Sequence, residues 1–239
     1  MSAAREDIIG GIRRALGRGA LPADRQAELA RKVAEHRRNL IPARAAALGH
    51  AGRIDLFVAM AEAVQTTVAQ VAGAADVPAE VARYLAAENL PAELVMAPDP
   101  ALDGIPWSER PLLRIRHGKA EAHDLVSLTP CLAAVAETGT LMLISGPDTP
   151  TTLNFLPDTQ IVVLHAGQVV ASYEDGWDLV RARAGDGGEG WPRTVNLITG
   201  PSRTGDIEQR IQLGAHGPRR LHIVLIDEPA KAADGPAVG

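Results

Sequence analysis

The sequence has few aromatic residues, a small negative net charge and no long apolar run. Aromatic residues make up 3% of the 239 residues, fewer than a stacking platform for single-stranded nucleic acid requires. The formal net charge of −5 also argues against a general nucleic-acid binder, so no nucleic-acid partner is expected. The best candidate for a membrane span, residues 132–144, is too short to cross a bilayer and contains Glu137.

Cysteine is nearly absent, and the histidines are poorly spaced for a metal. Cys131 stands alone, which excludes an internal disulfide and a four-thiolate zinc or iron–sulfur site built by this chain alone. In each of two histidine pairs, the two members are six residues apart in sequence. On a strand they would lie roughly 20 Å from each other, and on a helix they would lie on different faces, so neither pair can bind one ion. The sequence therefore predicts no metal site. Acidic residues occupy the place where a signal peptide has its apolar core, so a cytoplasmic location is expected.

Positive charge is concentrated at the N-terminus. Residues 1–55 carry 11 basic and 6 acidic side chains, whereas the remaining 184 residues carry 13 and 23. A split of this kind is typical of a docking arm. Solvated surface helices would give the same split, and both interpretations stay open.

The apolar spacing changes from helical to strand-like near residue 93. The first 90 residues are predicted to be helical, with helices that include 28–48, 56–71 and 79–87. Later apolar runs alternate with helices at 174–184 and 206–213, which predicts an α/β fold: a mostly parallel sheet with helices on both faces, after a helical N-terminal segment. The predicted domains are 1–90, 91–230 and a disordered tail at 231–239, with a flexible glycine-rich loop at 185–190. The predicted strands are 94–97, 112–116, 132–136, 141–144, 161–164, 169–171, 195–199 and 221–227.

The first candidate site segment is A-E-T-G-T, residues 136–140. Burial of the Glu137 carboxylate would be costly unless it were hydrogen-bonded or functional, so Glu137 is a candidate catalytic residue. Thr138, Gly139 and Thr140 are candidate ligand-binding residues beside it. The structural alternative is a turn in which Glu137 is a cap and Gly139 supplies a special backbone conformation. The polar loop at 145–158 is typical of active-site loops, but it is interpreted as an ordinary connection.

The second candidate segment, residues 195–218, is predicted to run from a strand through a glycine-bearing turn into a helix. Such a turn presents free amides, hydroxyls and one guanidinium, which suit a phosphate or a carboxylate. The alternative is an ordinary N-cap by Ser202 or Thr204, and the histidine that follows is more often structural than catalytic. We expect this segment and residues 137–140 to meet at one end of the sheet, because both follow apolar runs. The candidate ligand-binding residues here are Gly200, Ser202, Arg203, Thr204, Asp206 and His216.

Together, A-E-T-G-T, S-G-P-D-T and N-L-I-T-G-P-S-R-T-G-D-I-E with G-A-H-G-P resemble the LUD-domain family, that of lactate-utilisation protein C. The resemblance covers about residues 90–227. It implies a fold similar to ribose-5-phosphate isomerases, glucosamine-phosphate isomerases and CoA transferases. It also implies a role in oxidising L-lactate to pyruvate beside two partner proteins that carry iron–sulfur clusters. It supplies no established catalytic residue.

Three functions follow, in order of preference. Since the chain has no flavin or nicotinamide fingerprint and one cysteine, the first is a subunit that binds no cofactor and depends on redox centres of its iron–sulfur partners. The second is an independent enzyme that acts on a CoA ester or sugar phosphate with Glu137 as nucleophile or base. The third is a binding module or regulator.

Overall fold

A computed structural model describes residues 3–17, 19–38, 40–185, 190–207 and 210–227. The helices in these ranges are α1 (Ala3–Ala15), α2 (Ala23–Glu35), α3 (Ala43–Ala46), α4 (His50–Ala63), α5 (Val77–Ala87), α6 (Thr152–Phe155) and α7 (Tyr173–Ala184). The strands are β1 (Thr67–Val71), β2 (Glu93–Met96), β3 (Arg114–His117), β4 (Val126–Pro130), β5 (Ala133–Val135), β6 (Thr140–Ile144), β7 (Thr159–His165), β8 (Val169–Val170), β9 (Val195–Ile198), β10 (Arg203–Ile207), β11 (Arg210–Leu213) and β12 (Arg220–Ile226).

Six parallel strands form the central sheet, in the order β1-β12-β7-β4-β2-β3. Its centre is apolar on both faces, as expected of a covered parallel sheet. Ile161 and Val163 of β7 pack into one core, whereas Val162 and Leu164 pack into the other. The predicted mostly parallel α/β fold is confirmed.

The two faces of this sheet are covered differently. Helix α5 packs on one face through residues three or four positions apart, among them Val77, Val81 and Leu85. Helix α4 covers the other face with Phe57 and Ala61, together with a second, four-stranded sheet in the order β8-β5-β6-β9. The outer face of this second sheet packs on α7. The sequence predicted the four strands of this second sheet but placed them in one mostly parallel sheet, because a strand pattern does not show that two of the three pairings are antiparallel.

The predicted helix 56–71 is wrong in its second half. Helix α4 ends at Ala63, and Gln65 has a left-handed φ of 71°. The chain then enters β1, which is the edge strand beside β12. Two threonines and two valines in residues 66–71 favour a strand, but their spacing also continued the apolar stripe of the helix. The segment 1–90 is therefore not helical throughout.

The predicted helix 206–213 is wrong as well. Strands β10 and β11 pair antiparallel, with Arg203 opposite Leu213 and Thr204 opposite Gln212. Ile207 and Ile211 lie four positions apart, which imitates a helical period, but Gly205 and the β-branched residues favour extended backbone. The turn at 200–204 therefore does not lead into a helix. The N-cap role of Ser202 or Thr204 and the predicted anion site of free amides at a helix N-terminus both fail with it.

The chain divides into two compact units, residues 1–40 and 41–239. The division falls at residue 40 rather than at residue 90, because α4, β1 and α5 belong to the second unit. In the first unit α2 has no buried residue, and it carries exposed ion pairs such as Lys32–Glu28 at 2.8 Å. The predicted helix 28–48 ends earlier, at Glu35. Residues 186–189 of the predicted loop at 185–190, and the predicted tail at 231–239, lie outside the described residues.

Candidate functional site

The two candidate segments meet at one end of the second sheet. Strand β6 lies between β5 and β9 and is antiparallel to both, so β5 and β9 run in the same direction. Their carboxyl ends therefore lie side by side, with Glu137 following β5 and Gly200 following β9. The predicted meeting of these segments is confirmed.

Four hydroxyl groups join the segments in one network. Thr140 Oγ1 lies 2.7 Å from Thr138 Oγ1, 2.8 Å from Tyr173 Oη and 2.7 Å from Thr199 Oγ1. Thr138 also donates to Tyr173 Oη at 3.1 Å. Four hydroxyls have four protons, which is enough for these four bonds. Thr140 is completely buried at the centre. The network thus fixes the end of β9, where the turn at residue 200 begins.

Both segments also pack closely on the C-terminal end of α4. Gly139 and Gly200 have positive φ values of 66° and 75°, which favour glycine. A Cβ at Gly139 would overlap the backbone nitrogen of Ala61, and one at Gly200 would lie 2.6 Å from the carbonyl oxygen of Val64. The special backbone conformation predicted for Gly139 is therefore present, and its reason is this close approach.

A cavity of about 330 Å³ opens beside the turn at residue 200. It lies between the carboxyl end of β9 and the amino-terminal parts of β7 and β12. Four of the predicted ligand-binding residues line it: Gly200, Ser202, Arg203 and His216. Further lining residues are Asn154, Phe155, Gln160, Leu197, Ile198, Thr199, Pro201, Gly217, Pro218 and Leu221. We call this space the Arg203 cavity.

Backbone contacts hold the polar wall of the Arg203 cavity. The Arg203 guanidinium donates from Nη2 to the carbonyl oxygen of Val64, 2.8 Å away, at the C-terminal end of α4. A cation is stabilised there by the helix dipole. The backbone amide of His216 donates to Ser202 Oγ at 3.2 Å, which joins the turn at 200–204 to the loop at 214–218. Both parts of the sequence motif therefore form one wall.

Two buried amide side chains, Asn154 and Gln160, line the cavity. Gln160 Nε2 donates to Thr129 Oγ1 at 3.2 Å and to Asn154 Oδ1 at 3.0 Å. Gln160 is completely buried, and its Oε1 has no hydrogen-bond partner among the described residues. The sequence interpretation missed Gln160 and treated Asn154 as part of an ordinary loop. The available signal was a single amide side chain within an otherwise apolar stretch, at L-N-F and at T-Q-I-V-V-L.

Among the remaining predicted residues, Glu137, Thr138, Gly139, Thr140 and Thr204 lie outside the lining of the Arg203 cavity. Glu137 is buried, its backbone oxygen accepts from Arg44, and its Oε2 has no partner among the described residues. Thr138 and Thr140 belong to the network, and Thr204 is buried in β10. Asp206 lies in β10.

Cys131 is a buried thiol. Its Sγ donates to the carbonyl oxygen of Ala133 at 2.8 Å, and burial raises the thiol pKa to about 12. Over the described ranges, no three His, Cys, Asp or Glu residues are grouped to hold a metal ion. In those ranges no helix is long and apolar enough to cross a membrane.

Comparison with known proteins gives a consistent result. The model of the LUD domain family matches residues 54–226 and so includes α4, β1 and α5. Proteins named lactate utilization protein C are 32% identical over 163 residues in Deinococcus radiodurans and 32% identical over 110 residues in Bacillus subtilis. These matches cover 64% and 46% of this chain, and 70% and 45% of the relatives. An uncharacterized protein of Neisseria meningitidis is 38% identical over 95 residues, 38% of each chain.

One solved structure is similar throughout its length. It is the crystal structure of a DUF162 family protein from Deinococcus radiodurans, with a TM-score of 0.57 and 25% sequence identity. The similarity covers 75% of this chain and 99% of that chain.

Proposed function

Because this chain belongs to the LUD domain family, we propose that it serves in lactate utilisation, as a subunit of the system that oxidises L-lactate to pyruvate. Relatives that carry the name lactate utilization protein C support this role. The observation that carries the proposal is the Arg203 cavity, because both parts of the family-like motif, 200–204 and 214–218, line it.

The proposal assigns the redox chemistry to iron–sulfur partner proteins. Oxidation of a hydroxy acid by two electrons requires an acceptor. The only cysteine of the chain is Cys131, and its raised thiol pKa disfavours the thiolate form that binds iron. This chain would then bind no cofactor of its own and would act through the complex.

The alternative enzyme with Glu137 as nucleophile or base is less well supported. Glu137 does not line the Arg203 cavity. A phosphate site at a helix N-terminus also loses its basis, because residues 203–207 form a strand. We therefore place the lactate role first.

A deletion strain tests the proposal. The strain is expected to lose growth on L-lactate as sole carbon source and to keep growth on pyruvate, which enters metabolism after the oxidation. A plasmid copy of the full chain should restore growth on L-lactate. Normal growth of the deletion strain on L-lactate, with no second copy of the gene, would reject the role.

A further inference from the structure

We infer that the Arg203 cavity is a binding site for a small 2-hydroxy carboxylate, whose carboxylate faces Arg203 and whose hydroxyl faces Gln160. The inference rests on the proposed role in lactate utilisation and adds the site, the ligand class and the residue that distinguishes a hydroxyl from a keto group.

The charge of the lining favours a carboxylate. Arg203 contributes a permanent positive charge, and none of the described lining residues is acidic. A guanidinium has five N–H donors in a planar fork that suits a carboxylate. The bond to the Val64 carbonyl holds this group at the wall before a ligand arrives, which lowers the entropy cost of binding.

The walls of the cavity favour a partly apolar acid, and its size admits a short one. Ligand sites for drug-sized molecules have volumes from about 300 Å³ upward, so a cavity of about 330 Å³ is at the small end. Phe155, Leu197 and Leu221 give it apolar walls. A phosphate group is disfavoured, because the chain offers one guanidinium and strands in place of a helix N-terminus.

Gln160 supplies the preference for a hydroxyl. Its Nε2 is bound to Thr129 and Asn154, so the side chain is held in one orientation. Its Oε1 is buried without a partner among the described residues, and a buried acceptor in that state is costly. The hydroxyl of a 2-hydroxy acid can donate to this oxygen, whereas the keto group of a 2-oxo acid cannot. The site should therefore prefer the reduced acid.

Titration of the purified full-length chain with three acids tests the inference. L-lactate, pyruvate and propionate share the carboxylate and the three-carbon length, but only L-lactate has the donor hydroxyl. Calorimetry or NMR is expected to show that L-lactate binds about tenfold or more tightly than the other two, as for a satisfied buried hydrogen bond. Equal affinities for the three acids, or no binding of L-lactate, would overturn the inference.

Two variants separate the two halves of the site. Arg203→Gln should weaken binding of all three acids about tenfold or more, because it removes the charged partner. Gln160→Met should bring the affinity for L-lactate down to that for propionate. Arg219→Gln is the matched control, since this exposed arginine lies near Asp158 and outside the lining. An Arg203→Gln variant that folds and binds like the control would contradict the site, and if Gln160→Met does not fold, the comparison of acids still decides the hydroxyl preference.

Failure of the site and failure of the proposed function give different results. If the deletion strain needs the chain for growth on L-lactate but the chain binds no L-lactate, the site is rejected and the role stands. If the chain binds L-lactate but the deletion strain still grows on L-lactate, the role is rejected and the site stands.

Discussion

His222 is a buried histidine on β12, away from the Arg203 cavity. Its ring stacks on Tyr84, with centroids 3.9 Å apart and planes at 9°, and Nδ1 lies 2.8 Å from Thr67 Oγ1. Burial lowers its pKa to about 4, against an opposing attraction by Glu80. Nε2 lies 3.2 Å from Glu80 Oε1 but lacks the alignment of a hydrogen bond. Glu80 is itself paired with Arg83, and its pKa is lowered. The folded chain therefore holds His222 neutral.

We predict a loss of stability as the pH falls from about 6.5 toward 4. The unfolded chain binds a proton at His222 near pH 6.5, while the folded chain does so only near pH 4. The free energy of unfolding should therefore fall by about 3 kcal/mol over this range through this group. Urea titrations of the wild type and of His222→Gln at several pH values measure how the free energy of unfolding depends on pH. Parallel pH profiles for the two proteins would contradict the assignment.

Thr140 is the centre of the hydroxyl network, and its replacement by valine should be costly. Thr140→Val keeps the shape of the side chain but removes three of the four hydrogen bonds. We expect a loss of about 1–3 kcal/mol in the free energy of unfolding. The control Thr199→Val removes a single bond at an exposed residue and should cost less than about 1 kcal/mol. Similar losses in the two variants would show that the network is not centred on Thr140.

At the scale of elements, the turns after β5 and β9 are fixed by their approach to α4. Gly139→Ala and Gly200→Ala should each lower the free energy of unfolding by at least about 2 kcal/mol, because the added Cβ meets helix backbone and the φ is positive. Gly185→Ala is the control: its φ is 69°, but a Cβ there meets open space, so about 1 kcal/mol is expected. Chemical denaturation of the three variants distinguishes the close contact from the backbone cost. Equal losses at the three positions would argue against the close approach.

The sequence predicted those elements whose own apolar pattern matches their burial. Strands β2, β3, β5, β6, β7, β8, β9 and β12 and helices α5 and α7 were predicted from such patterns. Strand β4 was missed because its sequence, V-S-L-T-P, is typical of a loop. Ser127 is buried there because its hydroxyl donates to the carbonyl oxygen of Leu153, 2.6 Å away. No local pattern contains that partner.

The candidate site, like the fold, was predicted only in part. The motif residues at 200–203 and His216 were found from the sequence, and their meeting in one cavity is a consequence of the β10–β11 pairing. Gln160 comes from a strand of the other sheet. Its importance depends on a missing partner in the folded chain, which a single sequence does not display.

On the scale of the whole molecule, the N-terminal unit is the candidate for partner docking. Residues 1–40 carry nine basic and five acidic side chains, against 15 and 24 in the rest of the chain. Large apolar side chains are exposed in this unit, namely Ile8, Ile12, Leu16, Leu29 and Val33. We propose that this unit contributes to docking of the iron–sulfur partners proposed above through an acidic face on them, because opposite charge mainly speeds and orients encounter.

Neutralisation of charge in this unit should slow association with a purified iron–sulfur partner. The double variant Arg13→Gln and Arg14→Gln is expected to lower the association rate several-fold at low salt and to change it little at high salt, where charges are screened. Arg181→Gln on α7, which pairs with Asp178, is the control in the main unit. Stopped-flow measurement of the association rate at two ionic strengths tests this prediction. If Arg181→Gln lowers the association rate as much as the double variant does, or if the association rate does not depend on salt, docking through this unit would be contradicted.

The most direct test of the account joins the Arg203 cavity to lactate utilisation in one measurement. The deletion strain carries the wild-type chain, Arg203→Gln or Arg219→Gln, at equal protein levels, and the growth rate is measured on L-lactate and on pyruvate. We predict that the wild type and Arg219→Gln restore growth on L-lactate, that Arg203→Gln does not, and that all strains grow alike on pyruvate. Full growth of the Arg203→Gln strain on L-lactate would contradict the central claim that this cavity serves lactate utilisation.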